Sequence, residues 1–390
     1  MQPLLLLLLS SALPFIRADT DPWGIYGASC LTEQPALWNP GAAPPVPWYV
    51  IDLDLSPHDR WRTIANVYAK KMDTAIEVVH TMVDIVGEEV WELLLTLMTD
   101  VPDKLDEPYR SEIKAMAEMT GIRIEKLTLL NLFYEISKGC TSLVAKDVNG
   151  KIFHARNLDF GFLFVWDIEQ HTWDLTKSLK EVVVNLEFWQ GGQRLFKAVT
   201  FAGHLGILTG VRPGAFSLST NTRFGSTLHN LIDFMLHGLE GKQFLLYANR
   251  DMMTVSTTFE EAKTYLETVP YLARGYLILG GMDTGVVITR SYNWTDHEEF
   301  IDETKPNGWY VLETNYDWDK PDNYLDDRTI PGNKCMQQLG QARVSIEGLF
   351  QVMSSRTTLN KATVYTSIME VESGYLHTII QHCDDPCWFV

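Results

Sequence analysis

The dipeptide Asn149-Gly150 separates two apolar-rich runs, Cys140-Thr141-Ser142-Leu143-Val144-Ala145 and His154-Ala155-Arg156-Asn157-Leu158-Asp159. A tight two-residue loop whose twist matches its strands needs positive φ at both central residues, so Asn-Gly between such runs is the strongest short hairpin signal. An ideal register about that loop sets Asp159 opposite Cys140. A thiol, a guanidinium and a carboxylate are then gathered by local geometry, before any long-range contact forms. Strict alternation still sends Arg156 to the other face, so a bulge or a wider turn has to intervene. The sequence leaves both open.

The chain has 390 residues, 46% of them hydrophobic and 21% charged, which is enough for one large or two modest cores and excludes a disordered or fibrous protein. Residues 4–9 are a leucine block followed by Ser10, Ser11 and Ala12. That block is too short to span a bilayer and reads as a secretory signal peptide over residues 1–18, cut near Ala18. The best later apolar stretch, residues 86–98, is interrupted by Glu88, Glu89 and Glu92. The mature chain is therefore expected to be soluble and luminal or extracellular.

Five cysteines cannot all pair. Cys383 and Cys387 bracket a short loop suited to a local disulfide, Cys30 and Cys335 are then natural partners, and Cys140 is left as the free thiol. A zinc site on Cys383 and Cys387 needs two more ligands, and none lies nearby in the sequence. The sequon Asn293-Trp294-Thr295 fits a glycosylated surface loop in the same compartment. The formal charge of −18 disfavours nucleic acid and anionic membranes at neutral pH. Protonating ten histidines reduces it to −8, and carboxylate titration below roughly pH 5 removes the rest. In an acidic compartment the chain can approach anionic lipid.

Residues 19–47 are rich in Pro, Gly and Trp and read as an extended arm. Residues 48–55 alternate like a strand. Ser56-Pro57 then supplies an N-cap and a Pro at the first helical position, opening a helical stretch to residue 98 with a break at Gly87. Helices also fit residues 107–119 and 124–136, separated by Gly121. After Cys140 strands dominate, with turn signals at Asn149-Gly150, Gly191-Gly192, Gly280-Gly281 and Ser373-Gly374. Helices interrupt them at residues 226–238, at 258–269 behind a Thr258-x-x-Glu261 capping box, and at 345–353. Hairpin-joined strands with helices in separate blocks predict an α+β fold, layered sheets covered by helices. The clearest boundary falls at Gly139/Cys140.

Four segments carry a family resemblance: Cys-Thr-Ser-Leu-Val-Ala from Cys140, His-x-Arg-Asn-Leu-Asp-Phe-Gly from His154, Glu313-Thr314-Asn315-Tyr316-Asp317, and Asp326-Asp327-Arg328. Together they resemble the acid ceramidases and N-acylethanolamine acid amidases, N-terminal nucleophile hydrolases of the bile-acid-hydrolase and penicillin-V-acylase type. Pro47-Trp48-Tyr49, Asp52-Leu53-Asp54-Leu55 and the terminal cysteines are similar to the ceramidase branch. The resemblance implies an αββα sandwich, two stacked antiparallel sheets covered by helices, with a mostly helical N-terminal subunit. It implies a precursor that cleaves its own Gly139 to Cys140 bond, giving an α subunit (19–139) and a catalytic β subunit (140–390) joined by Cys30 and Cys335. It implies no cofactor and no metal. The implied activity is lysosomal hydrolysis of ceramide and related N-acyl lipids, with some enzyme secreted and with a lipid-presenting activator protein or an anionic membrane surface as partner. An N-acylethanolamine amidase and a catalytically silent lipid carrier are the alternatives.

Amide cleavage then gives each residue a role. The Cys140 sulfur attacks the acyl carbon, and a cation at Arg156 favours the thiolate. Asp159 orients the α-amine or accepts the substrate N–H, Asn315 donates its amide to the oxyanion, and Arg328 orients Asp159 or adds positive potential. Each has an ordinary alternative: a buried thiol, a surface ion pair, a turn Asn, a solvated Arg. His154 and His204 read as structural. Phe160, Phe162, Phe164, Trp166 and residues 201–216 are candidates for an acyl channel, although core packing explains such residues as well. The apolar surface of residues 83–98 is a candidate for lipid contact.

Overall fold

The computed structural model describes residues 44–390, apart from 85–86, 134–138, 161–165, 224–233, 235–237, 240, 324–325, 356–357, 386 and 388–390. Two sheets carry the fold. The larger has eight strands in the order β1-β6-β7-β8-β9-β10-β11-β12, from β1 (Trp48–Asp52), β6 (Val183–Gln190), β7 (Gln193–Phe201), β8 (Thr209–Arg212), β9 (Phe216–Thr222), β10 (Gly275–Gly280), β11 (Gly285–Arg290) and β12 (Thr295–Phe300). The smaller orders β13 (Tyr310–Glu313), β2 (Cys140–Lys146), β3 (Ile152–Asp159), β14 (Thr363–Glu370) and β15 (Tyr375–Ile379). A short pair, β4 (Trp166–Asp167) and β5 (Thr172–Trp173), stands apart.

The strands of both sheets pair antiparallel except β1, which runs parallel to β6. Between the sheets, Val144, Ile152 and Val311 pack with Tyr276, Ile278 and Val287. Helices cover the outer faces. On the smaller sheet Leu143, Ala155 and Ile368 pack with Cys335 and Met336 of the helix Thr329–Leu339 and with Leu349 and Val352 of the helix Ile346–Met353. The larger sheet shares a core with the N-terminal helices, where Trp61, Ile64 and Met72 join Leu186, Phe188 and Val199. This is the expected αββα sandwich.

The N-terminal helices run Pro57–Asp84, Glu88–Met98, Val101–Lys104, Tyr109–Thr120 and Ile124–Phe133. The expected break at Gly87 and the separation at Gly121 are both present, and Gly121 takes the left-handed conformation (φ 71°) that ends a helix without a Cβ clash. None of the described helices is long and apolar enough to cross a membrane. The strand expected over residues 48–55 stops at Asp52, because Asp52 and the residues after it turn into the helix.

The N-terminal third is not a separate layer. It supplies β1 to the larger sheet, and its Glu112 is fully buried between Arg250, which donates at 2.5 and 2.8 Å, and Arg60. Tyr109 stacks on Tyr247 with ring centroids 3.9 Å apart and donates to Asp251 at 2.6 Å. A charge network of this kind joins the two parts through groups that cannot be left unpaired.

Among the described residues four α-helices lie outside the sequence pattern: Val101–Lys104, Asp174–Lys180, Leu245–Val255 and Thr329–Leu339. Leu245–Val255 buries Asn249 and Arg250 on its inner side, which hides its apolar period. Thr329–Leu339 carries Pro331 and Gly332 early, where a first turn tolerates Pro because its N–H needs no partner. Thr258 caps its helix as expected, accepting the Glu261 N–H at 3.2 Å. The helix expected over residues 226–238 falls mostly outside the described residues.

Candidate active site

The hairpin that carries the nucleophile is wider than the ideal one. Cys140 pairs with Leu158, Ser142 with Arg156 and Lys146 with Ile152, a one-residue shift from the register expected. The cause is Asp147. Its Oδ1 accepts the N–H of Asn149 at 2.9 Å and of Lys151 at 2.8 Å, a local capping pattern that competes with a two-residue turn. Asp159 therefore does not lie opposite Cys140, as the ideal register has it. The shift puts Cys140, Ser142, His154 and Arg156 on one face, looking at the larger sheet.

Cys140 opens β2 as a buried thiol. Arg156 Nη2 donates to its sulfur at 3.1 Å. The guanidinium is pinned from the larger sheet, with Nη1 on the carbonyl of Leu208 at 2.5 Å and on Thr209 Oγ1 at 2.9 Å, and Nη2 on the carbonyl of Thr220 at 2.6 Å. A fully buried cation facing a sulfur is a strong electrostatic element, because little solvent screens it.

Asp159 closes β3. Its N–H donates to the Gly139 carbonyl at 3.1 Å, and its carboxylate accepts from Thr363 Oγ1 at 2.7 Å and Asn360 Nδ2 at 3.2 Å. Burial raises its pKa, opposed by Arg328, whose Nη1 lies 3.6 Å away. Arg328 also donates to the Cys140 carbonyl, to the Thr314 carbonyl at 2.9 Å and to Asn315 Oδ1 at 3.1 Å. Burial works against its charge, but Asp326 and Asp159 outweigh that and keep it cationic.

Asn315 sits in the left-handed region at φ 76°, which Asn tolerates better than most residues. Its Oδ1 accepts the Cys140 N–H at 2.6 Å and its Nδ2 donates to the Thr222 carbonyl at 2.7 Å. The buried Glu313 carboxyl holds the turn by accepting the Asn315 N–H at 2.5 Å. All five candidate residues thus converge on the first residue of β2. A cavity of about 880 Å³ opens at the sheet edges against Glu313, Thr314 and Tyr316, and Cys140 is not among its walls.

Thr363 and Asn360 are not singled out by the sequence, and Glu313 enters there only as part of a resemblance segment, without a role. Thr363 and Asn360 reach Asp159 because β14 pairs with β3, across some 200 positions of chain that no local pattern spans. His154 is held between Ser217 Oγ at 2.9 Å and Ser219 Oγ at 2.8 Å, and burial pushes its pKa down to about 3. His204 falls to about 4 for the same reason. Both are neutral, hydrogen-bonded core groups. Cys383 and Cys387 are disulfide-bonded. Cys335 is buried and disulfide-bonded, and Cys30, its expected partner, lies outside the described residues, as do Phe162 and Phe164. Asn293 is exposed on the β11–β12 connection.

Comparison with known proteins bears directly on this arrangement. The model for linear amide C–N hydrolases of the choloylglycine hydrolase family matches residues 140–311, beginning at the buried thiol. The model for the beta subunit of N-acylethanolamine-hydrolyzing acid amidase matches residues 44–105. A probable acid ceramidase of Caenorhabditis elegans is 38% identical over 98% of this chain and 97% of its own length. The chain belongs to the acid ceramidase family. Human acid ceramidase, another member, is 36% identical over 88% of each chain. The solved structure of a Caenorhabditis elegans N-acylethanolamine-hydrolyzing acid amidase ortholog superposes with a TM-score of 0.52 at 27% identity, over 62% of this chain and 100% of that one. This acid ceramidase family member is a cysteine N-terminal nucleophile amide hydrolase.

Proposed function

We propose that the protein hydrolyses the amide bond of ceramide to sphingosine and a free fatty acid, through a thioester on Cys140, after cleaving its own Gly139 to Cys140 bond. The observation that carries this is the buried Arg156 guanidinium 3.1 Å from the Cys140 sulfur, beside a main-chain nitrogen already held by Asn315. Self-cleavage turns that nitrogen into an α-amine, with an ordinary pKa of roughly 7.7–8.0, able to relay the thiol proton to the leaving amine. Asn315 Oδ1 then holds the amine. Its Nδ2 supplies the oxyanion donor once it exchanges the Thr222 carbonyl for substrate, a contribution worth about 3–4 kcal/mol in comparable sites. Arg328 fixes the Cys140 carbonyl and Asp159 in one arrangement.

The products would be an α subunit of residues 19–139 and a catalytic subunit of residues 140–390, tied by Cys30 and Cys335. The acidic composition suits a lysosomal lumen, where the net charge shrinks. Exposed Val90, Leu93 and Leu97 along the helix Glu88–Met98 form the surface we assign to lipid contact, directly or through a lipid-presenting protein. A void of about 20 Å³ among Leu130, Phe160, Leu175 and Phe201 is too small for an acyl chain, so that chain's path has to open.

The test is N-terminal sequencing after acid incubation, with Cys140→Ala beside the wild type. A fragment starting at Cys140 and missing from the variant supports the mechanism; an uncut, active chain sinks it. N-acylethanolamine hydrolysis is the second reading, favoured by the family model over residues 44–105 and by the amidase structure. Rates on ceramide and N-acylethanolamine with matched acyl chains decide between them, and equal or reversed preference rejects the ceramide assignment.

A further inference from the structure

Self-cleavage needs a donor for the oxygen of the scissile carbonyl, and the nucleophile cannot provide one. In the uncut chain the Gly139 carbonyl already receives the Asp159 N–H at 3.1 Å, while the Cys140 nitrogen on the other side of the scissile bond is held on Asn315 Oδ1 at 2.6 Å. The peptide unit is therefore clamped at both ends. Arg156 steadies the attacking sulfur from the larger sheet.

What seats the carbonyl there is the backbone of Gly139. Its φ is 103°, a value L side chains rarely adopt, and a Cβ placed on it would stand 3.2 Å from Asp159 Cβ and 3.5 Å from Asp159 O. A side chain at position 139 would be strained by its own φ and pressed against the residue whose N–H holds the carbonyl. Glycine is the residue that allows the carbonyl and that N–H to meet.

Resting on the self-cleavage reading above, we propose that the Asp159 main-chain N–H is the oxyanion donor of the self-cleavage step, and that the identity of residue 139 sets the rate of self-activation. The Cys140 sulfur bonds to the Gly139 carbonyl carbon, and negative charge gathers on the oxygen facing the Asp159 N–H. The bond from that carbon to the Cys140 nitrogen then breaks. The thiol proton passes to the departing nitrogen, which becomes the α-amine. Water hydrolyses the thioester, leaving a Gly139 carboxylate and a free thiol. This donor differs from Asn315 Nδ2, the one assigned to lipid hydrolysis, so the two reactions are separable by mutation.

The experiment follows conversion of purified full-length precursor on reducing gels after acidification, comparing wild type, Gly139→Ala and Cys140→Ala. Gly139→Ala is expected to convert about 10²-fold more slowly, the size of losing one preorganised donor. Amide hydrolysis per mole of cleaved chain is expected to match wild type, because residue 139 leaves the reacting centre once cut. Conversion of Gly139→Ala within twofold of wild type overturns the proposal. So does a Gly139→Ala enzyme whose hydrolysis per cleaved chain falls as far as its conversion. A wild-type chain that never converts instead removes the self-cleavage reading itself, a result distinct from either. Should Gly139→Ala fold poorly, amide hydrogen exchange at Asp159 in the uncut Cys140→Ala chain takes its place: slow exchange supports the contact with Gly139, and exchange as fast as an open loop rejects it.

Discussion

Arg156 donates to the Cys140 sulfur with the same nitrogen, Nη2, that it donates to the Thr220 carbonyl, while Nη1 holds Leu208 and Thr209. The cation is thus fixed by the larger sheet and the sulfur by the smaller one. Their distance measures how the two layers are stacked. A lysine preserves the charge but has no planar fork to span these acceptors. Arg156→Lys is expected to lower kcat/KM by about 10- to 10²-fold and to slow alkylation of Cys140 by iodoacetamide under acid, with the protein's melting temperature changing less. Equal alkylation rates in the two proteins refute the electrostatic role.

Asn315 combines an unusual backbone with an unusual side chain, and two substitutions separate them. Asn315→Gly accepts φ 76° and loses only the amide, whereas Asn315→Ala loses the amide and is strained by about 1–2 kcal/mol. Both are expected to abolish hydrolysis. Chemical denaturation should find the alanine variant less stable than the glycine variant by that margin.

Burial holds the Glu313 carboxyl well above the usual carboxylate range, against the Asn315 N–H, which favours the anion. A group raised on folding stabilises the fold fully below its unfolded pKa, roughly 4.3, and that contribution is lost as pH rises through the folded value. Glu313→Gln keeps an acceptor for Asn315 and removes the titration. Between about pH 5 and about pH 8 the wild-type melting temperature should therefore fall more than the variant's. Parallel curves would show that Glu313 is not held protonated.

Removing Glu112 leaves two arginines facing each other in a dry core. Glu112→Ala is expected to destabilise the chain by about 3–5 kcal/mol, whereas Tyr109→Phe, which loses one neutral donor to Asp251, should cost about 1–2 kcal/mol. Thermal unfolding of the two variants tests the ranking.

Residues near one another in sequence were the legible part of this site. Cys140, Arg156 and Asp159 share one hairpin, and the Asn-Gly signal located it, although Asp147 widened the turn by a contact that alternation alone does not contain. Asn315 and Arg328 came from family resemblance, since neither a turn Asn nor an Arg declares its chemistry. Thr363 and Asn360 were beyond reach because only the β3–β14 pairing brings them to Asp159. The layered fold was readable from turn spacing, but β1 joining the larger sheet in parallel was not: a five-residue strand ahead of a long helical region carries no mark of a partner more than a hundred positions away.

That strand has a consequence for biosynthesis. By lying along β6, residues Trp48–Asp52 cover a row of backbone N–H and C=O groups that an unprotected sheet edge would offer to any neighbouring chain. The catalytic portion made without its N-terminal companion would expose that row together with the apolar floor beneath the missing helices. Its expected fate is aggregation rather than an early start on substrate. Translating both portions as one polypeptide keeps the edge sealed from the outset.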